Sequence, residues 1–402
     1  MVATANVIAE ARPRAVSLRW IISAQDDLVW FIGSVASSYA LLALYVSGVV
    51  PLVPMVAAWA ILIDAPHVFG TFSRTYFDRT ERHNRARLLW GSLLFFVVGP
   101  LMVWAGAAFV FFFIAALWAY YHLVKQHYGF MVLYKKKNGD LAPVDNALDR
   151  LLLLFAFNYP FVAFIAQDPQ AMARVPSVLQ SSVNMVAIFL LAGTVILGVA
   201  WLARQVQRAI LGQPLDVPKY LLLAAAIPMH WIVLLTPMPN KPIAIVAILT
   251  IYHNLQYHRL IWFHNKKYNT ASSIVRGSSP TPGSPAGQPG GGGTVREGSS
   301  GDVDASLSVR SKYGAAEMIS RRLLYYIAFG ILFGLIYQGP RQYLGYLTLK
   351  NHLSVGGANE QSFAVQLGIS FLWGYAFIHY YLDSKIWRIR RDPSVGKALK
   401  MD

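Results

Sequence analysis

Apolar residues are concentrated in long runs along this chain, and most polar residues fall in the short segments between them. We identify ten runs of about 20 residues, the length of a helix that crosses the hydrocarbon layer of a bilayer. They lie at roughly 28–49, 51–70, 88–106, 108–130, 148–167, 182–203, 218–237, 242–263, 321–339 and 362–384. In lipid, an isolated segment can satisfy its backbone hydrogen bonds only as a helix. The pattern therefore predicts an all-α integral membrane protein with about ten transmembrane helices.

The composition agrees with a membrane protein. Of the 402 residues, 55% are hydrophobic and only 13% are charged, whereas soluble domains are about one-quarter charged. The chain has no cysteine. This excludes a disulfide framework, thiolate-bound zinc, iron–sulfur clusters and cysteine catalysis.

The net charge of +16 raises the question of a nucleic-acid partner, but the distribution of basic residues predicts membrane topology instead. Lys and Arg flank the apolar runs in clusters such as Lys135–Lys137 and Arg388–Arg391. With ten spans and a cytoplasmic N-terminus, the basic clusters all fall on the cytoplasmic side, as the positive-inside rule requires. We therefore expect a multi-pass protein of the inner (cytoplasmic) membrane, surrounded by membrane lipids, with both termini in the cytoplasm and no nucleic-acid partner.

Four segments follow from this interpretation. Residues 1–27 form a cytoplasmic N-terminal segment, and residues 28–270 contain spans one to eight. Residues 271–311 are rich in Gly, Ser and Pro, a composition that cannot bury a core and behaves as a flexible coil. We predict a disordered cytoplasmic linker there, followed by residues 312–402 with spans nine and ten and a basic cytoplasmic tail.

Histidines carry the main functional signal. Seven of the ten histidines lie at the cytoplasmic ends of even-numbered spans, at His67, His122, His127, His253, His258, His264 and His379. Asp64 precedes His67 by three residues and Asp383 follows His379 by four, so each pair shares a helix face. Ionisable residues within a membrane are costly and usually functional. We therefore predict one layer of functional side chains, contributed by four helices.

Metal binding is the chemistry that this set favours. Imidazole and carboxylate ligands suit iron, manganese or zinc, and seven imidazoles with two carboxylates exceed the needs of a single ion, which predicts two metal ions. The chain has no His-Glu-x-x-His motif and no Glu within a span, so the general base of a zinc protease is missing.

The spacing of the histidines limits how they can share an ion. His122 and His127 are five residues apart, as are His253 and His258, and on a regular helix such residues point about 140° apart. Either two ions or a π-bulge, which adds one residue to a turn, would reconcile the spacing with metal binding. His264 stands three turns, about 16 Å, from His253.

Two families resemble this arrangement. The segments "YHLVKQHYGF" and "YHNLQYHRLIWF" resemble the His-x4-His box of histidine-box membrane oxygenases, which include fatty-acid desaturases, hydroxylases and alkane monooxygenases. The His-x-x-His-His boxes of that group are absent from the sequence. The segments "APHVFG" and "HLVKQH" are similar to the Brp/Blh carotenoid-cleaving dioxygenases. Both resemblances imply non-haem iron held by histidines at the cytoplasmic ends of membrane helices.

We therefore expect a membrane-embedded, di-iron oxidoreductase that uses O₂ on a lipid or isoprenoid substrate, by hydroxylation, desaturation or oxidative cleavage. The histidine layer would hold the iron, and Asp64 and Asp383 would be further ligands or acceptors that fix the histidine tautomers. Hydroxylation or desaturation would need a cytoplasmic electron donor. Two alternatives stay open: a transporter or metal-handling membrane protein, and a bis-histidine haem electron carrier. A transport path should place polar residues near the midplane of the membrane, whereas these histidines lie at one surface.

Overall fold

A computed structural model describes residues 16–277, 312–355, 362–388 and 393–401. The described residues are 83% helical, and the prediction of an essentially all-α protein is confirmed. The strands described are two residues long each: Val16–Ser17 (β1) and Leu215–Asp216 (β2) form a parallel pair, with Val16 opposite Leu215.

The described helices, in chain order, are α1 (Ala24–Asp26), α2 (Val35–Val46), α3 (Leu52–Trp59), α4 (Ala65–Arg74), α5 (Arg79–Asn84), α6 (Ala86–Ser92), α7 (Phe95–Trp104), α8 (Ala108–Asn138), α9 (Pro143–Gln167), α10 (Pro169–Met172), α11 (Ser177–Ile210), α12 (Val217–Leu235), α13 (Lys241–Gly277), α14 (Ala315–Ser320), α15 (Leu323–Val355), α16 (Phe363–Ile386) and α17 (Pro393–Ala398). Two π-helical segments, Asp27–Ile32 and Ala60–Asp64, continue directly from α1 and α3.

Eight helical segments in the described part of the chain are long and apolar enough to cross a membrane. They are Ala24–Val46, Leu52–Arg74, Ala86–Trp104, Ala108–Asn138, Pro143–Gln167, Ser177–Ile210, Val217–Leu235 and Leu323–Tyr346. Their length and composition indicate a multi-pass membrane protein. The eighth and tenth predicted spans form α13 and α16, which carry polar residues such as His253 and His379 and are not among these eight.

The predicted linker differs from the structure at its start. Helix α13 continues to Gly277, so residues 271–277, which the composition assigned to a coil, are helical. Residues 278–311 lie outside the described residues, as do residues 1–15 of the predicted N-terminal segment.

Two compact units make up the fold. Among the described residues, one unit falls within Met1–Leu42 and Leu123–Ile245, and the other falls within Ala43–His122 and Val246–Lys400. In the first unit α9 packs along α11 and α12, over an apolar core that includes Leu153, Phe157 and Met229.

Buried charges join several helix ends of this first unit. The Lys219 ammonium donates to Asp140 at 2.6 Å and to Asp149 at 3.1 Å, and Lys135 also bonds Asp149. Arg208 donates to Asp140 at 2.9 Å. Because every charge in this group has an opposite partner, the cost of burying it is offset by direct ion pairing.

The second unit contains a helix pair held at short range by glycines. Helix α15 packs against the second π-helical segment and α4. A Cβ atom at Gly330 would lie 2.8 Å from Cβ of Pro66, and one at Gly334 would lie 2.3 Å from the carbonyl oxygen of Ile61. Small residues four apart let two membrane helices approach closely. The two glycines therefore bring α15 against the helix that carries His67.

Candidate metal centre

Three histidines from separate helices converge within the second unit. His67 on α4, His122 on α8 and His379 on α16 each offer a ring nitrogen, and these nitrogens all lie within 4.8 Å of one another. The three side chains are buried, at 2%, 8% and 1% exposure. The Nε2 atoms of His122 and His379 are 3.1 Å apart.

Helix α4, which carries His67, is buried along its whole length. All ten residues of α4 are buried, because α15 and α16 both pack against it. Pro66 lacks an N–H, and a proline ring within a helix clashes with the carbonyl group four residues earlier. The π-helical turn Ala60–Asp64 precedes this proline and widens the backbone there. Such irregular turns are frequent at functional sites.

His253 is the fourth imidazole beside this set. Its ring centroid lies 4.8 Å from that of His67 and 5.1 Å from that of His122. It is 3% exposed. The structure therefore brings four of the seven predicted ligands together.

His258 lies nearby, but both of its ring nitrogens are hydrogen bonded. Nε2 is 3.0 Å from the carbonyl oxygen of Ile63, and Nδ1 is 3.3 Å from the hydroxyl of Tyr326. A neutral imidazole has one donor and one acceptor nitrogen, so Nε2 donates to the carbonyl group and Nδ1 accepts from the hydroxyl. These bonds tie His258 to the π-helical turn rather than directing a lone pair at His67, whose ring is 6.2 Å away.

The structure does not bring His127 or His264 to this cluster. Helix α8 is a regular α-helix over both His122 and His127, so their five-residue spacing points them in different directions. In the first unit His127 packs against Phe157, and its Nδ1 is 3.0 Å from the carbonyl oxygen of Leu123. In the second unit the ring of His264 lies 5.6 Å from that of Trp387.

The predicted carboxylates, Asp64 and Asp383, are both in the second unit. Among the described residues, the group whose ligand atoms lie within 4.8 Å of one another consists of three histidines and includes neither carboxylate. Asp64 accepts from Gln338 at 3.0 Å and from Asn254 at 3.4 Å. An oxygen of Asp383 is 3.8 Å from Nδ1 of His379, beyond the length of a hydrogen bond.

Two polar residues that the sequence interpretation missed contact the histidines. Thr71 Oγ1 is 2.7 Å from Nδ1 of His379, and the Tyr257 ring is 4.5 Å from the ring of His67. The Thr71 hydroxyl and the Tyr257 hydroxyl each donate to Asp383 at 2.7 Å. A sequence signal for Thr71 was available, because it follows His67 by four residues and therefore lies on the same helix face.

The donor set fits a divalent metal ion. Two nitrogens that each lie about 2.1 Å from one ion, at a right angle, are separated by about 3.0 Å. The Nε2 atoms of His122 and His379 are hydrogen bonded at 3.1 Å, and this separation also matches the spacing of two ligands on one ion. Among the described residues, Nδ1 of His67 has no hydrogen-bond partner although it is buried. Such an atom calls for a bound partner, and imidazole nitrogen suits iron, zinc, copper or nickel.

Comparisons with known proteins identify no family for this chain. No family model matches the chain, and neither the curated proteins nor the solved structures contain a significant match.

Proposed function

We propose that this protein is a metal-dependent membrane oxidoreductase that uses O₂ on a lipid or isoprenoid substrate. His67, His122 and His379 would hold the metal, which we propose to be iron, with His253 beside them. The observation that carries the proposal is the convergence of three buried ring nitrogens, one from each of three helices, within 4.8 Å. The apolar helices around them support a substrate that dissolves in the bilayer.

An iron ion in this position would supply the redox chemistry with O₂ that protein side chains lack. The chain's own residues hold the ligands and keep the centre dry. The ring of Tyr380 stacks on His122 at 4.4 Å, and Tyr257 covers His67. Excluding water from such a centre prevents side reactions.

The converging nitrogens of His67, His122 and His379 favour one ion at this position. The other predicted ligands do not add a second set, because His127 and His264 lie elsewhere and both nitrogens of His258 are hydrogen bonded. The sequence alone predicts two iron ions, and the metal content of the purified protein distinguishes one ion from two. The pair His122 and His379 does not fit a bis-histidine haem, since ligands on opposite faces of one ion are about 4 Å apart and these two nitrogens are 3.1 Å apart.

Metal analysis of the purified, detergent-solubilised protein, with an optical spectrum, tests the proposal. We expect about one iron per chain and no haem absorption. His67→Ala, His122→Ala and His379→Ala should each lose most of the metal. His127→Ala and His264→Ala are matched controls, because each removes a buried imidazole that is not among the three converging histidines. Both variants should retain the metal.

The reaction itself can be followed with isotopically labelled oxygen. Membrane lipids from cells that express the wild-type protein under ¹⁸O₂ would carry the label after hydroxylation or cleavage, or an additional double bond after desaturation. Cells that express His379→Ala should show neither. Equal metal content in the ligand variants and the controls would contradict the metal centre, and unchanged lipids with full metal content would favour the metal-handling alternative.

Topology is the second part of the proposal. The basic clusters flanking the apolar runs support ten spans in the inner membrane, with both termini and the linker in the cytoplasm. Helices α13 and α16 would be the eighth and tenth spans. The histidine cluster would then face a cytoplasmic electron donor if the reaction is a hydroxylation or a desaturation.

A further inference from the structure

Thr71 lies between a histidine of the proposed metal centre and a buried carboxylate. Its Oγ1 atom is 2.7 Å from Nδ1 of His379 and 2.7 Å from Oδ1 of Asp383. The direct separation of His379 Nδ1 and the carboxylate is 3.8 Å, which is too long for a hydrogen bond. The carboxylate therefore reaches the histidine through the hydroxyl of Thr71.

Counting protons fixes the direction of these bonds. A hydroxyl has one proton to donate, and an ionised carboxylate only accepts. Thr71 and Tyr257 both donate to Oδ1 of Asp383, and bonds to a charged acceptor are the stronger ones. The hydroxyl oxygens of Thr71 and Tyr257 are also 2.7 Å apart. Once its own proton is directed at Asp383, Thr71 can only act as an acceptor, both for Tyr257 and for His379. Nδ1 of His379 therefore carries the proton, and Nε2 presents its lone pair.

That tautomer is the one a metal ion needs at this position. Nε2 is the atom of His379 that faces His122 at 3.1 Å. Without the acceptor at Nδ1, the proton could occupy Nε2 instead and would have to be displaced before metal binding. Groups that orient a ligand imidazole in this way raise its basicity and typically change metal affinity 10- to 100-fold.

We propose that Thr71 is a positioning residue of the metal centre, which relays the charge of Asp383 to His379 and fixes its tautomer. This inference rests on the proposed function. Tyr257 extends the same network: it clamps Asp383 through its hydroxyl and packs its ring against His67. The hydrogen bonds of Thr71, Tyr257 and Asp383 thus orient His379, and the ring of Tyr257 packs against His67.

The test uses Co²⁺ binding by the full-length protein after metal removal, measured by competition with a chelator and by the visible absorption of the bound ion. Thr71→Val keeps the shape of the side chain but removes its hydroxyl, and we expect 10- to 100-fold weaker binding with a changed absorption spectrum. Thr71→Ser restores the hydroxyl and should bind within a few-fold of the wild type.

Thr75→Val is the matched control. Thr75 is also fully buried at the end of the same helix, and its hydroxyl bonds the backbone oxygen of Thr71 rather than a histidine. It should leave Co²⁺ affinity and spectrum unchanged. Tyr257→Phe retains the ring and removes one donor to Asp383, so it should weaken binding less than Thr71→Val and provides a second variant if that protein fails to fold.

The outcomes separate the inference from the proposed function. If the wild type binds Co²⁺ and both Thr71→Val and Tyr257→Phe bind it equally well, the relay is refuted while the metal centre stands. Equal losses in Thr71→Val and Thr75→Val would show a general packing effect and would also refute the relay. A wild-type protein that binds no Co²⁺ would remove the metal centre and the relay together.

Discussion

The close packing of α15 against the helix that carries His67 makes a sharp prediction for Gly334→Ala. The new Cβ atom would lie 2.3 Å from the carbonyl oxygen of Ile61 and 3.3 Å from Cβ of Ala65. Carbon and carbonyl oxygen approach to about 3.3 Å in favourable contacts. The two segments must therefore separate by about 1 Å, because the obstructing atom belongs to the backbone and cannot rotate away.

The energetic cost can be estimated from this displacement. Overpacking of a buried interface typically costs about 1–3 kcal/mol. Separation would also stretch the bond from Gln338 to Asp64, now 3.0 Å, and a bond to a charged group is worth about 1.5–3 kcal/mol. Alanine offsets about 1 kcal/mol through its higher helix propensity. We expect a net destabilisation of about 1.5–5 kcal/mol.

Unfolding of the purified protein in detergent, monitored by tryptophan fluorescence, measures this effect. Gly345→Ala is the control on the same helix. Apart from the adjacent residues and the nearby backbone of its own helix, no atom of the described residues lies within 4 Å of a Cβ placed at Gly345. It should leave stability unchanged or raise it by up to about 1 kcal/mol. If Gly334→Ala is as stable as Gly345→Ala, the short approach of the two segments is wrong.

Two further predictions concern the first unit and the topology. Lys219→Met removes the ammonium shared by Asp140 and Asp149 and should cost about 3 kcal/mol or more, because it leaves buried carboxylates with fewer partners. The exposed Lys125 provides the control: Lys125→Met should change stability by about half a kcal/mol or less, and similar losses in both variants would contradict a buried ion-pair group. For topology, reporters fused at the C-terminus and within residues 278–311 should both be cytoplasmic, and opposite locations would refute an even number of spans between them.

Local composition was sufficient to predict a helical chain whose helices are long and apolar enough to cross a membrane. A run of apolar residues has the same preference for lipid and for helix whatever surrounds it, so the runs could be read directly from the sequence. Helical spacing also showed that His122 and His127 could not serve one ion on a regular helix, and α8 is regular there. The axial distance likewise placed His264 far from His253.

Tertiary packing decided which histidines meet. His67 and His379 are 312 residues apart in the chain, and their contact depends on how each helix is rotated about its own axis. That rotation follows from interfaces such as the one at Gly330 and Gly334, where a side chain of almost any other residue would clash. Nothing in the local sequence of α16 specifies this angle.

The sequence is likewise insufficient to predict how the carboxylate of Asp383 is connected to His379. The four-residue spacing of His379 and Asp383 indicates a shared helix face, and from the sequence a direct bond between them is the simplest prediction. The structure separates them by 3.8 Å and inserts Thr71 from a different helix. Sequence spacing determines which side chains share a face, whereas the atom that completes a hydrogen bond between them comes from a neighbouring helix, whose position only the packed fold determines.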